Sequence, residues 1–359
     1  MTAVNLGVPI VGGPSADSPA SDESDPGFAR GPLADTFGRV ATDLRVSLTD
    51  RCNLRCTYCM PAEGLDWMPN DELLTVDELT RLIRIATRDL GITDIRFTGG
   101  EPLLRREIVD IVAAAAAMAP RPRLALTTNG LGLVRKAQAL ADAGLDRVNV
   151  SLDTIDAADF AAITRRDRLR DVLAGLQAAK DAGLTPVKVN AVLKSGMGAE
   201  DAPELLQFCL DHGYELRIIE QMPLDAGHDW QRTSMVTAAQ ARKVLSERFD
   251  LTPHPGERGS APAQKWLVDG GPATVGVIAS VTEPFCAACD RTRLTADGQL
   301  RNCLFAREES DVRALLRGGA DDEAIARRWR ATMWDKKSGH GIGEPDFHQP
   351  DRPMSAIGG

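Results

Sequence analysis

The chain has 359 residues, 43% of them hydrophobic, enough for one large α/β barrel or two ordinary domains around a sizeable core. Its 51 acidic and 42 basic residues leave a formal charge of -9, which excludes a global field that would gather nucleic acid or anionic membrane; an anionic ligand has to be caught by a local basic cluster. With no run of about 18 apolar residues to span a bilayer and no charged-then-apolar signal at the N-terminus, the expectation is a cytoplasmic protein without membrane partners.

In chain order, residues 1–33 come first. They include "SADSPASDESDPG", too poor in bulky apolar residues to order itself, and read as a disordered extension. The strand "LRVSL" then leads into "DRCNLRCTYCMP", and the helix "TVDELTRLIRIATRDL" opens on a capping box formed by Thr75 and Glu78. The strand "DIRFT" ends in "TGGEP" before the helix "REIVDIVAAAAAMA"; "RLALTT" runs into "TTNG" before "VRKAQALADAG"; "RVNVSL" ends in "SLD" before "RDVLAGLQAAKDAG", which Gly183 stops. "PVKVNAVL", the helix "APELLQFCLDHG" and the strand "ELRIIE", running into "EQM", complete the series. Strand-then-helix units in series predict a parallel sheet with right-handed crossovers. Six units rather than eight predict an incomplete (β/α)6 TIM-type barrel over residues 34–250, followed by a C-terminal region, 251–334, and a tail, 335–359. The polar strand ends should converge on one rim, where parallel α/β folds place their chemistry.

Seven cysteines in a large chain without an export signal argue for metal or redox chemistry rather than a disulfide framework. Cys52, Cys56 and Cys59 form C-x3-C-x2-C. A structural zinc site wants four ligands, and a redox CxxC has no use for a third cysteine upstream. A [4Fe-4S] cluster on three thiolates accounts for the number, with one iron left open. A second triplet, Cys286, Cys289 and Cys303, again lacks an obvious fourth ligand, so two open irons are expected. The barrel is then expected to be closed by a C-terminal extension carrying this second cluster. Cys209, among leucines, reads as an inert core thiol. Arg291 and Arg293 lie on one side of an extended segment beside Cys289, a pairing suited to phosphate or a purine edge. Arg96 and Lys188 fall at or next to strand ends, and the expectation is positive charge gathered at the barrel mouth.

"CNLRCTYC" followed by "GGEP" resembles the radical S-adenosylmethionine enzymes. From about Asp35 to the final "RPMSAIGG", with both triplets, the chain resembles the GTP 3′,8-cyclases of molybdenum cofactor biosynthesis. The resemblance implies two [4Fe-4S] clusters and S-adenosylmethionine as cofactors. Cys52, Cys56 and Cys59 match ligands of the cofactor cluster, and Tyr58, Gly100, Ser151 and Met222 match positions contacting S-adenosylmethionine. Cys286, Cys289 and Cys303 match ligands of the substrate cluster. Arg45, Arg96, Thr127, Lys188, Arg291 and Arg293 match GTP-contacting positions, and Gly358 and Gly359 match a double-glycine tail inserted into the active site. The implied reaction removes the C3′ hydrogen of GTP and joins C3′ to C8 of guanine. An electron donor and a downstream cyclic pyranopterin monophosphate synthase are the implied partners, and a homodimer is one of the open oligomeric states. Two rival readings are another radical S-adenosylmethionine enzyme with an auxiliary cluster, such as a peptide-modifying one, and a non-catalytic iron–sulfur or zinc regulator. The first usually carries more cysteines after the barrel; the second has no need of "GGEP" or of basic residues at the barrel mouth.

Overall fold

The computed structural model describes residues 30–196 and 199–358. The expected disordered extension lies outside these residues as far as position 29. Its end is ordered: Leu33 is fully buried in the core, and Ala34 bridges Val40.

The expected strands form as β1 (Asp43–Ser47), β2 (Asp94–Thr98), β3 (Arg123–Thr128), β4 (Arg147–Ser151), β5 (Lys188–Val192) and β6 (Glu215–Ile219). They pair in sequence order, all parallel. Helices α1 (Val76–Asp89), α2 (Ile108–Ala116), α3 (Leu133–Asp142), α4 (Ala157–Thr164), α5 (Leu169–Asp181) and α6 (Ala202–His212) cover the outer face. The α1 cap is a full capping box: Thr75 Oγ1 accepts from the Glu78 amide at 3.2 Å, and Glu78 Oε2 accepts from the Thr75 amide at 2.8 Å. Leu79, Leu82, Ile83 and Ala86 then fall on one buried face at helical spacing. Gly183 follows α5 with φ +77, the left-handed geometry that glycine adopts without a Cβ clash.

The region from 251 onward contributes to the same sheet. Its strands are β7 (Leu251–Pro253), β8 (Gln264–Val268), β9 (Thr274–Ile278), β10 (Arg291–Leu294), β11 (Gln299–Arg301) and β12 (Ser310–Asp311). β9 adds parallel to β6 at one edge and β10 parallel to β1 at the other, so the parallel stretch is longer than the expected six strands. The sheet runs from β12 to β7 and is open: among the described residues no hydrogen-bonded pairing joins those two ends. The barrel is thus not closed through its backbone. The remaining helices are α7 (Ala238–Leu245), α8 (Val312–Arg317), α9 (Asp322–Trp334) and α10 (Met354–Ile357). From α9, Trp329 is fully buried and its Nε1 donates to Thr292 Oγ1 at 3.0 Å, fixing the helix against the outer side of β10.

The two faces of the sheet differ in chemistry. Leu44, Val46, Ile95, Phe97, Leu124, Leu126, Val148, Val150, Val189 and Leu216 all belong to the core beneath the helices. The alternate positions carry Arg45, Arg96, Thr127, Asn149, Lys188 and Arg217. Barrel interiors of this type are normally packed with branched apolar residues, and charge in a buried parallel strand costs free energy unless it meets a partner. The interior of this barrel is therefore built for a polar ligand. No helix of the described residues is long and apolar enough to cross a membrane.

Candidate active site

The first triplet occupies the loop after β1. Arg55 caps the loop's own backbone, donating from Nη1 to the Cys52 and Leu54 carbonyls at 2.7 and 2.8 Å. The last turn of α4 accepts from the loop amides: Arg55 N reaches Thr164 O at 3.0 Å and Thr57 N reaches Ile163 O at 2.9 Å. Arg165, at φ +55, donates to the carbonyls of Arg55 and Met60, both at 2.9 Å. With the backbone satisfied in this way, the three thiols face a common cavity.

That cavity, of about 180 Å³, is lined by Cys52, Cys56, Cys59, Tyr58, Gly100, Thr127 and Ser151, together with Asn129, Asp153, Met354 and Ser355. Met222 lines an adjoining cavity with Tyr58, Cys59 and Met354. The structure so brings together the expected cofactor positions, and Thr127, expected on the substrate side, with them. Tyr58 donates from Oη to Asp153 Oδ2 at 2.8 Å, and burial raises the Asp153 carboxyl to about 6. Burial likewise pushes the Cys52 thiol up, Cys56 well up and Cys59 to about 12. Neighbouring thiols add to the shift at Cys56 and Cys59, as they must when three sulfurs share a site. A cationic iron centre would reverse that preference, since coordination favours the thiolate. Among the described residues no three His, Cys, Asp or Glu side chains are gathered closely enough to hold a single metal ion. A four-iron cube, several atoms across, sets its thiolates wider than a lone ion does.

The "GGEP" turn is pressed against this loop. A Cβ on Gly100 would stand 2.3 Å from the Asp50 carbonyl oxygen and 2.5 Å from that of Arg51, both backbone atoms immediately before Cys52. Glu101, fully buried, accepts from the amides of Leu103 at 2.9 Å and Asn129 at 2.7 Å and from Thr128 Oγ1 at 2.7 Å, tying the ends of β2 and β3 together. We expect Gly100→Ala to displace the Asp50–Arg51 backbone, cost about 1–3 kcal/mol of stability, and empty the first triplet. Iron analysis checks this as a loss of about half the bound iron. An undiminished iron content would contradict the close approach.

The second triplet lies at the other end of the barrel. Cys286 and Cys289 precede β10, which runs parallel to β1, and Cys303 follows the antiparallel β11. All three therefore sit at the N-terminal ends of the parallel strands, whereas Cys52, Cys56 and Cys59 sit beyond their C-terminal ends. The strand directions set the two sites at opposite ends of the parallel strands, apart by roughly the length of a five-residue strand, about 13–17 Å. The Cys286 carbonyl accepts from Arg39 Nη1 at 2.8 Å, and burial, with the neighbouring Cys303 and Cys289 thiols adding to it, pushes the Cys286 thiol up. At Cys289 burial raises the thiol, but Lys336 and Arg291 outweigh it, so the group ends below its ordinary value.

Between the two triplets the interior is lined with cations. Arg45 pairs in register with Arg96 on one side and Arg293 on the other, and Asp43 pairs with Arg291. Arg147 and Arg217 complete the set with Lys188. Asp43 takes Arg45 Nε and Nη2 at 2.9 and 2.8 Å. Burial would raise its carboxyl, but Arg45, Arg96 and Arg291 bring it down to about 2. Lys188 Nζ pairs with Glu215 at 2.8 Å. These carboxylates are outnumbered. Burial and mutual repulsion hold Arg96 well below the ordinary arginine value, Arg217 at about 10 and Arg293 at about 9. Buried Nε atoms of Arg96 and Arg217 meet no acceptor among the described residues. Excess buried positive charge with unused donors is the environment a polyanion would complete.

Arg96 and Lys188 are not at the mouth, as the sequence suggested. Arg96 is the middle residue of β2, and Lys188 opens β5 at its N-terminal end. A period of two points side chains inward along the whole strand, so the charge lines the barrel's length rather than its rim. Arg217 was missed, although "ELRIIE" carried the same signal as Lys188: a cation inside a parallel strand. Gly276, opposite Arg217 on β9, makes room for it, since a Cβ there would stand 3.0 Å from Arg217 Cγ. Cys209 is fully buried in the core, and burial takes its thiol to about 12.

The tail enters this interior. Gly358 is buried with φ +86, and its carbonyl accepts from Arg293 Nη1 at 2.8 Å. Gly359 lies outside the described residues.

The radical SAM superfamily model matches residues 46–209, and the Molybdenum Cofactor Synthesis C model matches residues 214–342. A protein from Mycobacterium sp. (strain KMS) named GTP 3′,8-cyclase is 68% identical over 359 residues, covering all of both chains. One of the same name from Mycolicibacterium smegmatis is 64% identical over 363 residues, again covering both chains fully. Among solved structures, SuiB of Streptococcus suis bound to S-adenosylmethionine has a TM-score of 0.56 at 14% identity, covering 87% of this chain and 74% of that one, a likeness of fold. With full-length identity at this level and both family models matched in order, the chain belongs to the GTP 3′,8-cyclase family within the radical S-adenosylmethionine superfamily.

Proposed function

We propose that the protein cyclises GTP to (8S)-3′,8-cyclo-7,8-dihydroguanosine 5′-triphosphate, the first step of molybdenum cofactor biosynthesis. The observation that carries this reading is the cation-lined interior between two three-thiol sites. In this reading Cys52, Cys56 and Cys59 hold a cluster, with S-adenosylmethionine set against Tyr58, Gly100, Ser151 and Met222. When bound, these groups supply the one-electron chemistry that removes a hydrogen atom from ribose C3′. Cys286, Cys289 and Cys303 hold a second cluster facing the guanine base. Arg45, Arg96, Lys188, Arg217, Arg291 and Arg293 hold the triphosphate, and Thr127 stands nearer the cofactor side of the nucleotide. Gly358 and Gly359 narrow the space around the reacting ribose.

The work of the chain is positional. A nucleotide anchored at its phosphates and its base has little freedom left at C3′, and an interior walled by the parallel strands and plugged by the tail excludes water from the reacting carbon. None of these roles needs a strong base, consistent with only five histidines in the sequence. The reading extends to a cytoplasmic enzyme served by an electron donor and followed by a synthase that consumes the cyclised nucleotide.

Anaerobic incubation with S-adenosylmethionine, GTP and dithionite tests it. A cyclised nucleotide is expected; deoxyadenosine alone would point to a different substrate, and no cofactor cleavage would overturn the enzyme reading. Reconstituted protein should hold about eight irons, falling by about half when Cys286, Cys289 and Cys303 are changed together to alanine. Unchanged iron in that variant would remove the second site from the account.

A further inference from the structure

Lys336 is buried just beyond α9, and its ammonium is held by backbone carbonyls and a sulfur. Its Nζ donates to the Arg291 carbonyl at 2.8 Å and the Cys289 carbonyl at 3.3 Å, and it stands 3.4 Å from Cys289 Sγ. Two carbonyls satisfy donors but do not neutralise a charge, and a buried ammonium without a counter-charge is expensive. The further acceptor within reach is the sulfur of Cys289, which as a cluster ligand would carry negative charge. Arg291 Nη1 approaches the same sulfur at 3.8 Å, whereas Arg39 meets Cys286 at its carbonyl. Positive charge is thus concentrated on one corner of the second triplet.

We propose that Lys336 is a positioning residue that raises the reduction potential of a cluster held by Cys286, Cys289 and Cys303, through a charge-assisted N–H···S contact to Cys289. This rests on the reading of that triplet as a cluster site. Reduction adds negative charge to an iron–sulfur centre, and an ammonium against a ligand sulfur stabilises the reduced form more than the oxidised one. The carbonyl contacts place the ammonium: by holding Cys289 and Arg291 from behind, they keep Nζ against the sulfur as the strand leaves the loop.

Two variants separate charge from scaffolding. Lys336→Gln keeps N–H donors for the carbonyls without the charge; Lys336→Met removes both. Each is made in the full-length chain with Cys52, Cys56 and Cys59 changed to alanine, so that only the second cluster gives a signal in a redox titration followed by electron paramagnetic resonance. Both variants are expected to be about tenfold harder to reduce than the Lys336 parent at matched iron content, about 59 mV lower for a one-electron couple. If Lys336→Met does not retain iron, Lys336→Gln alone decides. A Lys336→Gln potential equal to the parent's would overturn the proposal and leave Lys336 as a carbonyl clamp. A parent that binds no iron would instead overturn the cluster reading on which the proposal rests.

Discussion

Deleting Gly358 and Gly359 is expected to abolish the cyclised product while leaving iron content and thermal midpoint nearly unchanged. The tail is fastened well before its tip. Arg352 forms a bidentate pair with Asp297, at 3.1 and 2.7 Å, and a further ion pair with Glu309 at 2.9 Å. Met354 N donates to Leu224 O at 2.9 Å, and Ile357 is fully buried. These interactions, rather than the glycines, supply the stability of the tail, which is why truncation should spare the fold. At Gly358 the backbone is left-handed, at φ +86, and a Cβ would stand 2.9 Å from Ser47 Cβ and 3.0 Å from Thr98 Cγ2, at the C-terminal ends of β1 and β2. Gly358→Ala therefore meets both strain, about 1–2 kcal/mol for the left-handed conformation, and a steric conflict. We expect its product yield to fall at least tenfold, as the tail tip is pushed away from Arg293. A free peptide carrying the tail sequence should restore part of the truncated enzyme's activity only at high concentration, because it lacks the effective molarity of the tether. Full product formation by the truncated protein would refute a role for the tail in the chemistry.

Changing Arg291 or Arg293 to alanine is expected to weaken GTP binding by about 1.5–3 kcal/mol for each charge-assisted hydrogen bond removed, roughly 10- to 150-fold. Binding of S-adenosylmethionine should change little, because neither arginine lines its proposed cavity. The two variants should differ from each other. Arg291 donates to Ser260 O at 2.9 Å and lies over the Phe285 ring at 5.1 Å, so its removal also loosens the second cysteine loop. Arg293 holds Gly358, so its removal should also free the tip of the tail and lower product yield beyond the binding defect. Paired titrations of both ligands on each variant make the comparison. Equal weakening of both would indicate local misfolding near Cys289 instead of a specific effect on substrate binding.

What could be read from the sequence follows the range of the signals. The first six strands and α1 rest on periodicities and caps within a few residues, and both cysteine triplets rest on counts within one loop or hairpin. The short helix α4 escaped notice because "AADFAAIT" carries too few residues to show a helical period, yet its last turn holds the first cysteine loop. The addition of β9 and β10 to opposite edges of the sheet was not legible, since strand pairing between segments so far apart in the chain leaves no local mark. That addition decides the layout of the site: it sets the triplets at opposite ends, and brings Arg291 and Arg293 into register with Asp43 and Arg45. The hydrogen bond between Gly358 and Arg293 is equally non-local, and only the glycine pair itself pointed toward it.

The most direct measurement uses GTP deuterated at ribose C3′. Anaerobic turnover with S-adenosylmethionine should place deuterium in the deoxyadenosine released and yield one cyclised nucleotide without that deuterium. Deoxyadenosine free of the label, or label retained at C3′ in the nucleotide product, would contradict the placement of C3′ against the cavity of Cys52, Cys56 and Cys59.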